Sequence, residues 1–396
     1  MKIIYIIILS FFFLAQKVLA ATPEVKIEEL KLELQELQIK EDKKKQGILE
    51  FKSFDTTIIL GGRLQVNAEY TTPSGSFFAG KIPLANANNE DDFTLHAKDS
   101  RLWVKTRTPE KYGPILTLIE VDFRGENEYE LRLRHAYIEY AGFGFGKTNS
   151  AFNSIVALDT ITYAIDDTFV RQVVARYTYN VENTFYDISF EEPDTTLFVS
   201  ESSKSATSID GNLAPDLVLR VRYYSDSAEV GLAYLSRLIK KEADSSSKDA
   251  QYAWGINLSG GVDTFGLDDI RFNAHYGVGS GRYIGYNAFG AGVINQTTNE
   301  IDLTTVYGGH LGYRHWWNNS FRSTLGVSYL ASNTKQEDKD DFGFLTEVSQ
   351  GFVVNLFWTP RKNISIGVEF ARAKREVYNS QNGMMSDSNL MFRYDF

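Results

Sequence analysis

Asn389-Leu390-Met391-Phe392-Arg393-Tyr394-Asp395-Phe396 closes the chain. Leu390, Phe392, Tyr394 and Phe396 share one parity, while Asn389, Arg393 and Asp395 share the other. Successive strand residues point to opposite sides, so this segment predicts a strand that is apolar and aromatic on one face and polar on the other. Residues 57–70 repeat the pattern. There Ile58, Leu60, Leu64, Val66, Ala68 and Tyr70 oppose Arg63, Gln65, Asn67 and Glu69. A face this charged cannot lie against a dry core. It must meet water, and its reverse must meet something apolar.

The alternation recurs at 100–108, 115–124, 171–179, 184–191, 217–224, 228–237, 251–260 and 270–278. It continues at 303–315, 321–330, 352–358 and 364–370, and two further segments flank Ala141-Gly142. About sixteen strands of roughly ten residues result, the length that a tilted membrane-spanning strand requires. Short turns near 108–114, 141–143, 180–183, 225–227, 316–320 and 359–363 alternate with longer polar loops near 71–94, 152–170, 191–215, 239–250, 279–302 and 331–346. The fold expected is an all-β, transmembrane antiparallel barrel of about sixteen strands, with short periplasmic turns and long external loops. Aromatic strand ends near the short turns (Tyr140, Tyr179, Phe185, Tyr223, Trp316, Trp317, Trp358) suit an interface girdle. The terminal strand, with Leu390, Phe392, Tyr394 and Phe396, is expected to be the signal that the barrel-assembly machinery reads.

The other end of the chain fits export to the outer membrane of a Gram-negative bacterium. Lys2 is followed by an apolar run from Ile3 to Leu14, and Val18-Leu19-Ala20 offers a cleavage site. Residues 1–20 therefore read as a signal peptide, with Gln16 and Lys17 cutting the run below a spanning length. Residues 21–50 read as helical: Ile27, Leu30, Leu34 and Leu37 follow a 3-4-3 spacing, and Val25, Leu32 and Ile39 form a second stripe. This segment is either a tether or a short periplasmic coiled coil across an oligomer, the second being preferred. The barrel is then 51–396. The absence of cysteine excludes disulfides and thiolate metal ligands, and a net charge of −10 argues against nucleic acid. With 22 Tyr and 27 Phe against 8 Pro, the composition suits a sheet with aromatic belts.

Reading faces by parity, the lumen receives Arg63, Arg101, Lys105, Arg107, Arg176, Arg220, Arg222, Arg271, Arg314 and Arg322. Arg132 and Arg134 belong to the same region, but the strand changes parity around His135, which leaves their facing open. Glu69, Glu120, Asp122 and Glu369 are the clearest lumen acids, fewer than the arginines. Arg171 and Arg372 fall on the outward parity, close to loops. Inward arginines could simply solvate a wet wall. Arranged as a constriction, they would draw small anionic solutes, since the guanidinium fork matches a carboxylate. Segment 152–170 is the candidate for a loop folded into the barrel, with Asp159, Asp166 and Asp167 facing the arginines.

Several stretches resemble the DcaP-like porins, outer-membrane channels associated with dicarboxylate uptake. They are Leu131-Arg132-Leu133-Arg134-His135-Ala136-Tyr137, the run from Pro215 to Tyr223, the run from Trp254 to Gly260, Tyr276 to Tyr283, Tyr313 to Trp317 with Phe321 to Thr324, and Asn355 to Pro360. The resemblance spans about Leu60 to Phe396 and the helical extension. It implies a sixteen-stranded barrel, a homotrimer, a preference for negatively charged small solutes and periplasmic assembly of the N-terminal helices. The chain departs from the pattern at Asn149, where an aromatic is expected.

Other classes fit less well. The run Ala141 to Thr148 lacks the first glycine of a phosphate-binding loop and is followed by strand pattern. His96, His135, His275, His310 and His315 show no metal-ligand spacing, and no cofactor is implied. A barrel lipase would need a pair such as His310 and Ser328 on the outer rim. A structural adhesin anchored by its barrel would need a filled lumen, and a phosphate- or sulfate-selective porin would favour lysine over arginine.

Overall fold

A computed structural model describes residues 49–87, 89–127, 129–162, 168–199, 206–208, 214–240 and 250–396. The signal peptide and nearly all of the segment expected to be helical lie outside the described residues, as do Asp166 and Asp167. The wall strands are β1 Thr56–Thr72, β2 Asp92–His96 with Arg101–Thr108, β3 Ile115–Asp122, β4 Arg132–Tyr140, β5 Phe143–Asn149, β6 Arg171–Val181, β7 Thr184–Glu191 and β8 Asp216–Tyr224. They continue as β9 Ala228–Lys240, β10 Ala250–Asp263, β11 Asp269–Val278, β12 Thr305–Trp316, β13 Phe321–Asn333, β14 Thr346–Arg361, β15 Ile364–Val377 and β16 Asn382–Asp395. Each pairs antiparallel with the next, and β1 pairs with β16, Leu64 opposite Tyr394, so the cylinder closes. Closure leaves no sheet edge in the wall.

The terminal strand behaves as its alternation predicts. Leu390, Phe392, Tyr394 and Phe396 are exposed on the outer face, while Asn389 is buried toward the lumen. Phe396 exchanges two backbone hydrogen bonds with Gly62, at 2.8 and 2.9 Å. Just beyond it a lead-in strand, Leu49–Ser53, pairs with the start of β1, Leu49 opposite Leu60. Leu49 and Glu50, at the end of the segment expected to be helical, thus already belong to the sheet.

The register shifts at three places, once between β3 and β4 and twice between β14 and β15, and the first decides which arginines face the lumen. Glu120 pairs with His135 but Val121 pairs with Leu133, so Arg134 is an extra residue in β4. The extra residue turns Arg132, Arg134 and His135 all inward and keeps Leu133 and Ile138 exposed on the lipid side.

One end of the barrel has turns of two to six residues, and the other carries the long loops. Connections at the long-loop end are not all long: 378–381 has four residues, and 123–131 and 241–249 have nine each. The long loops fold inward as well as outward. Ala79 and Ile82 from loop 73–91, Phe152 from loop 150–170, and Tyr283, Ile284 and Phe289 from loop 279–304 form one buried cluster with Val218, Leu235 and Leu330 of the wall. The outer lumen therefore holds an apolar core, which alternation along the strands does not foretell.

Candidate functional site: a lumen of shared arginines narrowed by an inward loop

The structure brings the predicted arginines to the lumen in clusters rather than as a uniform ladder. Asp187 on β7 accepts from Arg220 Nε at 2.8 Å and from both Nε and Nη2 of Arg222 at 3.0 Å. Asp122 takes Arg132 through two parallel bonds of 3.0 and 2.7 Å and also Arg134 at 2.7 Å. Arg134 reaches Glu120 as well, at 2.6 Å, and Arg101 lies 3.5 Å from the same carboxylate. At the closing seam Asp395 lies 2.9 Å from Arg63 and 3.0 Å from Arg393. On β11 to β13, Asp269 takes Arg271 at 2.8 Å and Arg314, while Asp159 takes Arg322 at 2.6 Å and Arg314 at 3.4 Å.

In each of these four clusters the guanidiniums exceed the carboxylates by one. Two arginines share one aspartate twice, and three share two acids twice. The lumen holds more acid than parity suggested, since Asp187, Asp269 and Asp395 were not among the expected lumen acids. Counted over these bonded partners each cluster is formally positive, while Glu69, Asp99, Glu229, Glu369 and Asp387 are carboxylates outside the count. Arg176 donates to the Asn149 carbonyl at 2.7 Å, and Lys105 and Arg107 lie on the inward parity of β2 toward its short-turn end. Arg237, absent from the sequence reading, is buried against Asp216 at 2.9 Å and the Thr195 hydroxyl at 3.1 Å, where it holds loops rather than lining the open lumen.

Loop 150–170 does fold into the barrel, and its path can be followed bond by bond. Asn257 donates to the Phe152 carbonyl at 2.8 Å, Ile155 N–H to Ser259 Oγ at 3.0 Å, and Arg271 to the Ala157 carbonyl at 2.7 Å. Asn355 donates to the Asp159 carbonyl at 2.8 Å. The Glu369 carboxylate then accepts Ile161 N–H at 2.7 Å, Thr162 N–H at 2.6 Å and Thr162 Oγ1–H at 2.6 Å. The segment thus crosses the inner wall from β10 to β15.

Glycines make room for it. A Cβ on Gly326 would stand 2.9 Å from Leu158, one on Gly231 3.1 Å from Ile155, and one on Gly255 3.2 Å from Phe152. Leu158 also fills the space over Gly312. Burial works against the charged Asp159 carboxylate, but the Arg322 hydrogen bond and the fields of Arg322, Arg314 and Arg271 outweigh it and hold its pKa below the ordinary value. Asp159 therefore faces arginines of its own wall and fastens the loop to them.

Between the loop and the opposite wall lies a cavity of about 300 Å³. Arg63, Arg101, Arg124 and Arg393 line it on one side, Asp159 to Thr162 on another, with Phe77 and Phe78 above. Asn149, where an aromatic was expected, is exposed at the end of β5.

His310 and Ser328 are register partners on the lumen face and not at an outer rim. The glycine run at 141–148 is a tight turn followed by β5, with Ala141 and Gly142 both at positive φ and no helix after it. Among the described residues no cluster of His, Asp and Glu is arranged to hold a metal.

A family model described as the DcaP outer membrane protein matches residues 32–396. Among solved structures, the outer membrane channel DcaP of Acinetobacter baumannii aligns with a TM-score of 0.78 at 25% identity, covering 87% of this chain and 99% of that one. In-vitro folded OmpT of Vibrio cholerae aligns at 0.57 with 10% identity, over 88% of this chain and 99% of its own. Salmonella typhi OmpF, solved with daunomycin, aligns at 0.56 with 12% identity, over 88% and 100%. The last two share the barrel fold. No curated protein matches.

Proposed function

The chain belongs to the DcaP outer membrane protein family and is an outer-membrane porin channel rather than an enzyme; on that premise we propose that its pore prefers small anions, dicarboxylates in particular. The observation that carries the proposal is the excess of one arginine in each of four lumen clusters. A narrow passage of one sign between low-dielectric walls concentrates counter-ions. Guanidiniums already tied to an aspartate keep outward N–H groups for a passing carboxylate, and several such stations of moderate strength allow flux that one tight site would stop. The guanidinium fork pairs with both oxygens of a carboxylate, and a phosphate offers it the same geometry, so phosphate is the competing solute to test beside succinate. Reversal potentials under a salt gradient in a planar bilayer test this. Anion preference is expected, with succinate reducing the current more than acetate, and a cation-selective pore would overturn the proposal.

Two partners and the processing of the N-terminal segment follow as further proposals. Strands β3, β4 and β5 have only eight, nine and seven residues, and β3 and β5 fall short of the roughly nine to eleven that span a bilayer. A groove of about 490 Å³ on that outer face is lined by Phe143, Phe145, Ala175, Tyr177 and Ile188. Protein suits this low wall better than lipid, so two further copies of the chain are proposed to cover it as a homotrimer. Phe145→Arg should then yield monomers in native mass spectrometry, whereas an unchanged mass would place the groove against lipid. Residues 1–20 are proposed to be removed on export, and 21–48 to remain in the periplasm. The outward Leu390, Phe392, Tyr394 and Phe396 are proposed to be read by the assembly machinery, so Phe396→Ser should lower the yield of inserted barrel.

A further inference from the structure

From β10 round to β2 the lipid face carries a row of aromatic side chains near the long-loop end, interrupted on three strands. Tyr252, Tyr276, Tyr307 and Tyr329 are exposed around β10 to β13, and Tyr70 and Phe93 continue the belt on β1 and β2. On β13 the upper Tyr329 stands eight residues from Phe321 at the opposite end of the strand. The same offset from Trp358 on β14, Ile364 on β15 and Phe396 after β16 reaches Gln350, Arg372 and Ser388. Three neighbouring strands thus place polar groups where the strands flanking them on either side place aromatics.

Register joins these groups into one patch. Gln350 pairs with Lys374, Arg372 with Ser386, and Ser386 with Thr72. Gln350 and Arg372 are exposed, and Lys374 and both serines are partly so. Arg372 Nε donates to Met384 Sδ at 2.9 Å, and Lys374 lies 3.3 Å from Glu376. Eight residues of a tilted strand rise about 20 Å, close to the outer edge of an apolar belt about 25 Å tall. A cation is tolerated at that depth, but it gains most where an anion of the membrane lies at the same height.

We propose that this patch binds the phosphate-bearing headgroup of a lipid in the outer leaflet. Arg372 offers its fork to the phosphate oxygens, Lys374 a second charge, and Gln350, Ser386 and Thr72 neutral donors. A lipid suits the site better than another copy of the chain for two reasons. Its strands have fourteen to sixteen residues, long enough to face the bilayer, and they lie across the barrel from the low wall at β5.

Purified protein in an uncharged detergent can be titrated with lipid A bearing both phosphates and with lipid A stripped of them, and bound lipid counted by native mass spectrometry. The wild type should bind the phosphorylated form roughly tenfold more tightly. Arg372→Gln with Lys374→Gln should abolish that preference while conductance and thermal unfolding stay unchanged. Equal binding of both lipids by the wild type would overturn the proposal, and would do so even if the double variant failed to assemble. Displacement by millimolar inorganic phosphate would overturn it by marking a site for free anions. Loss of oligomer mass in the variant would overturn it by marking an interface between copies.

Discussion

The two halves of the lumen wall solve opposite problems. From β9 to β15 the wall is covered: glycines at 231, 255, 312 and 326 leave hollows, and Ile155, Phe152 and Leu158 of the inward loop fill them. From β16 round to β8 it is barer: Arg63, Arg132 and Arg222 keep part of their surface open, while Arg134 and Arg220 are nearly buried against their shared carboxylates. The covered half narrows the pore by supplying shape, whereas the bare half supplies charge. Arg271, Arg314 and Arg322 belong to the covered half and spend much of their bonding capacity on the loop, at Ala157 and Asp159. An arginine on the lumen parity is therefore not by that fact a solute contact.

The sharpest way to break this division is to unbalance a cluster on the bare side. Arg220→Ala with Arg222→Ala leaves Asp187, fully buried, without either guanidinium. Removing the partners of a buried charge costs about 3 to 5 kcal/mol, so the barrel should unfold at lower denaturant, and any folded fraction should lose anion preference. Chemical unfolding and reversal potential check the two effects. Retained selectivity would remove this cluster from the filter.

Smaller effects should follow on the covered side, and they should change pore shape before charge. Gly326→Val sets a branched side chain against Leu158, and overpacking of this kind costs about 1 to 3 kcal/mol. Glu369→Ala strands the Ile161 and Thr162 donors at a similar cost of about 1 to 3 kcal/mol, softened by lumen water. Both variants should open the passage and raise single-channel conductance with little movement in reversal potential. Glu369→Gln, which keeps an acceptor, should fall between wild type and alanine. A selectivity change as large as that of the arginine variant would mean that the two halves do not divide the work.

Charge and shape were unequally legible in the sequence. Parity alone sent Arg63, Arg101, Arg220, Arg222, Arg271, Arg314 and Arg322 inward, because a strand in a closed wall has only two sides. It could not settle Arg132 and Arg134, since a bulge is a backbone event with no residue type of its own. That Asp187 serves two arginines is a matter of three strands meeting, so counting acids along one strand misses it. The hollows were visible in principle as glycines on the inward parity, but an absent side chain announces no partner. Ile82, Tyr283 and Phe289 of the outer core sit in loops that follow no period, and nothing along the chain foretells their meeting.

Acid should loosen the covered half selectively. Asp159 has a folded pKa held below its ordinary value, so its contribution is complete above the ordinary carboxylate value of about 3.9 and is lost as pH falls through the lower folded value. Single-channel noise should accordingly be flat from neutrality to about pH 4 and rise below it. Asp159→Asn should be noisy already at neutral pH and show no further rise from this source. Equal behaviour of wild type and variant across the range would dissociate the loop from its arginine clamp.

The smallest effect belongs to Lys105, on the bare side but exposed near the short-turn end of β2. Its charge lies in water screened over about 10 Å at 0.1 M salt, so Lys105→Ala should alter stability by no more than about 0.5 kcal/mol. Its influence on anion conductance should be detectable only at low ionic strength. The contrast with Arg220 and Arg222 then isolates confinement as the factor that turns an inward cation into a selective one. If Lys105→Ala instead matched the double arginine variant at high salt, the narrowest point would lie at the short-turn end and the loop would not be the constriction.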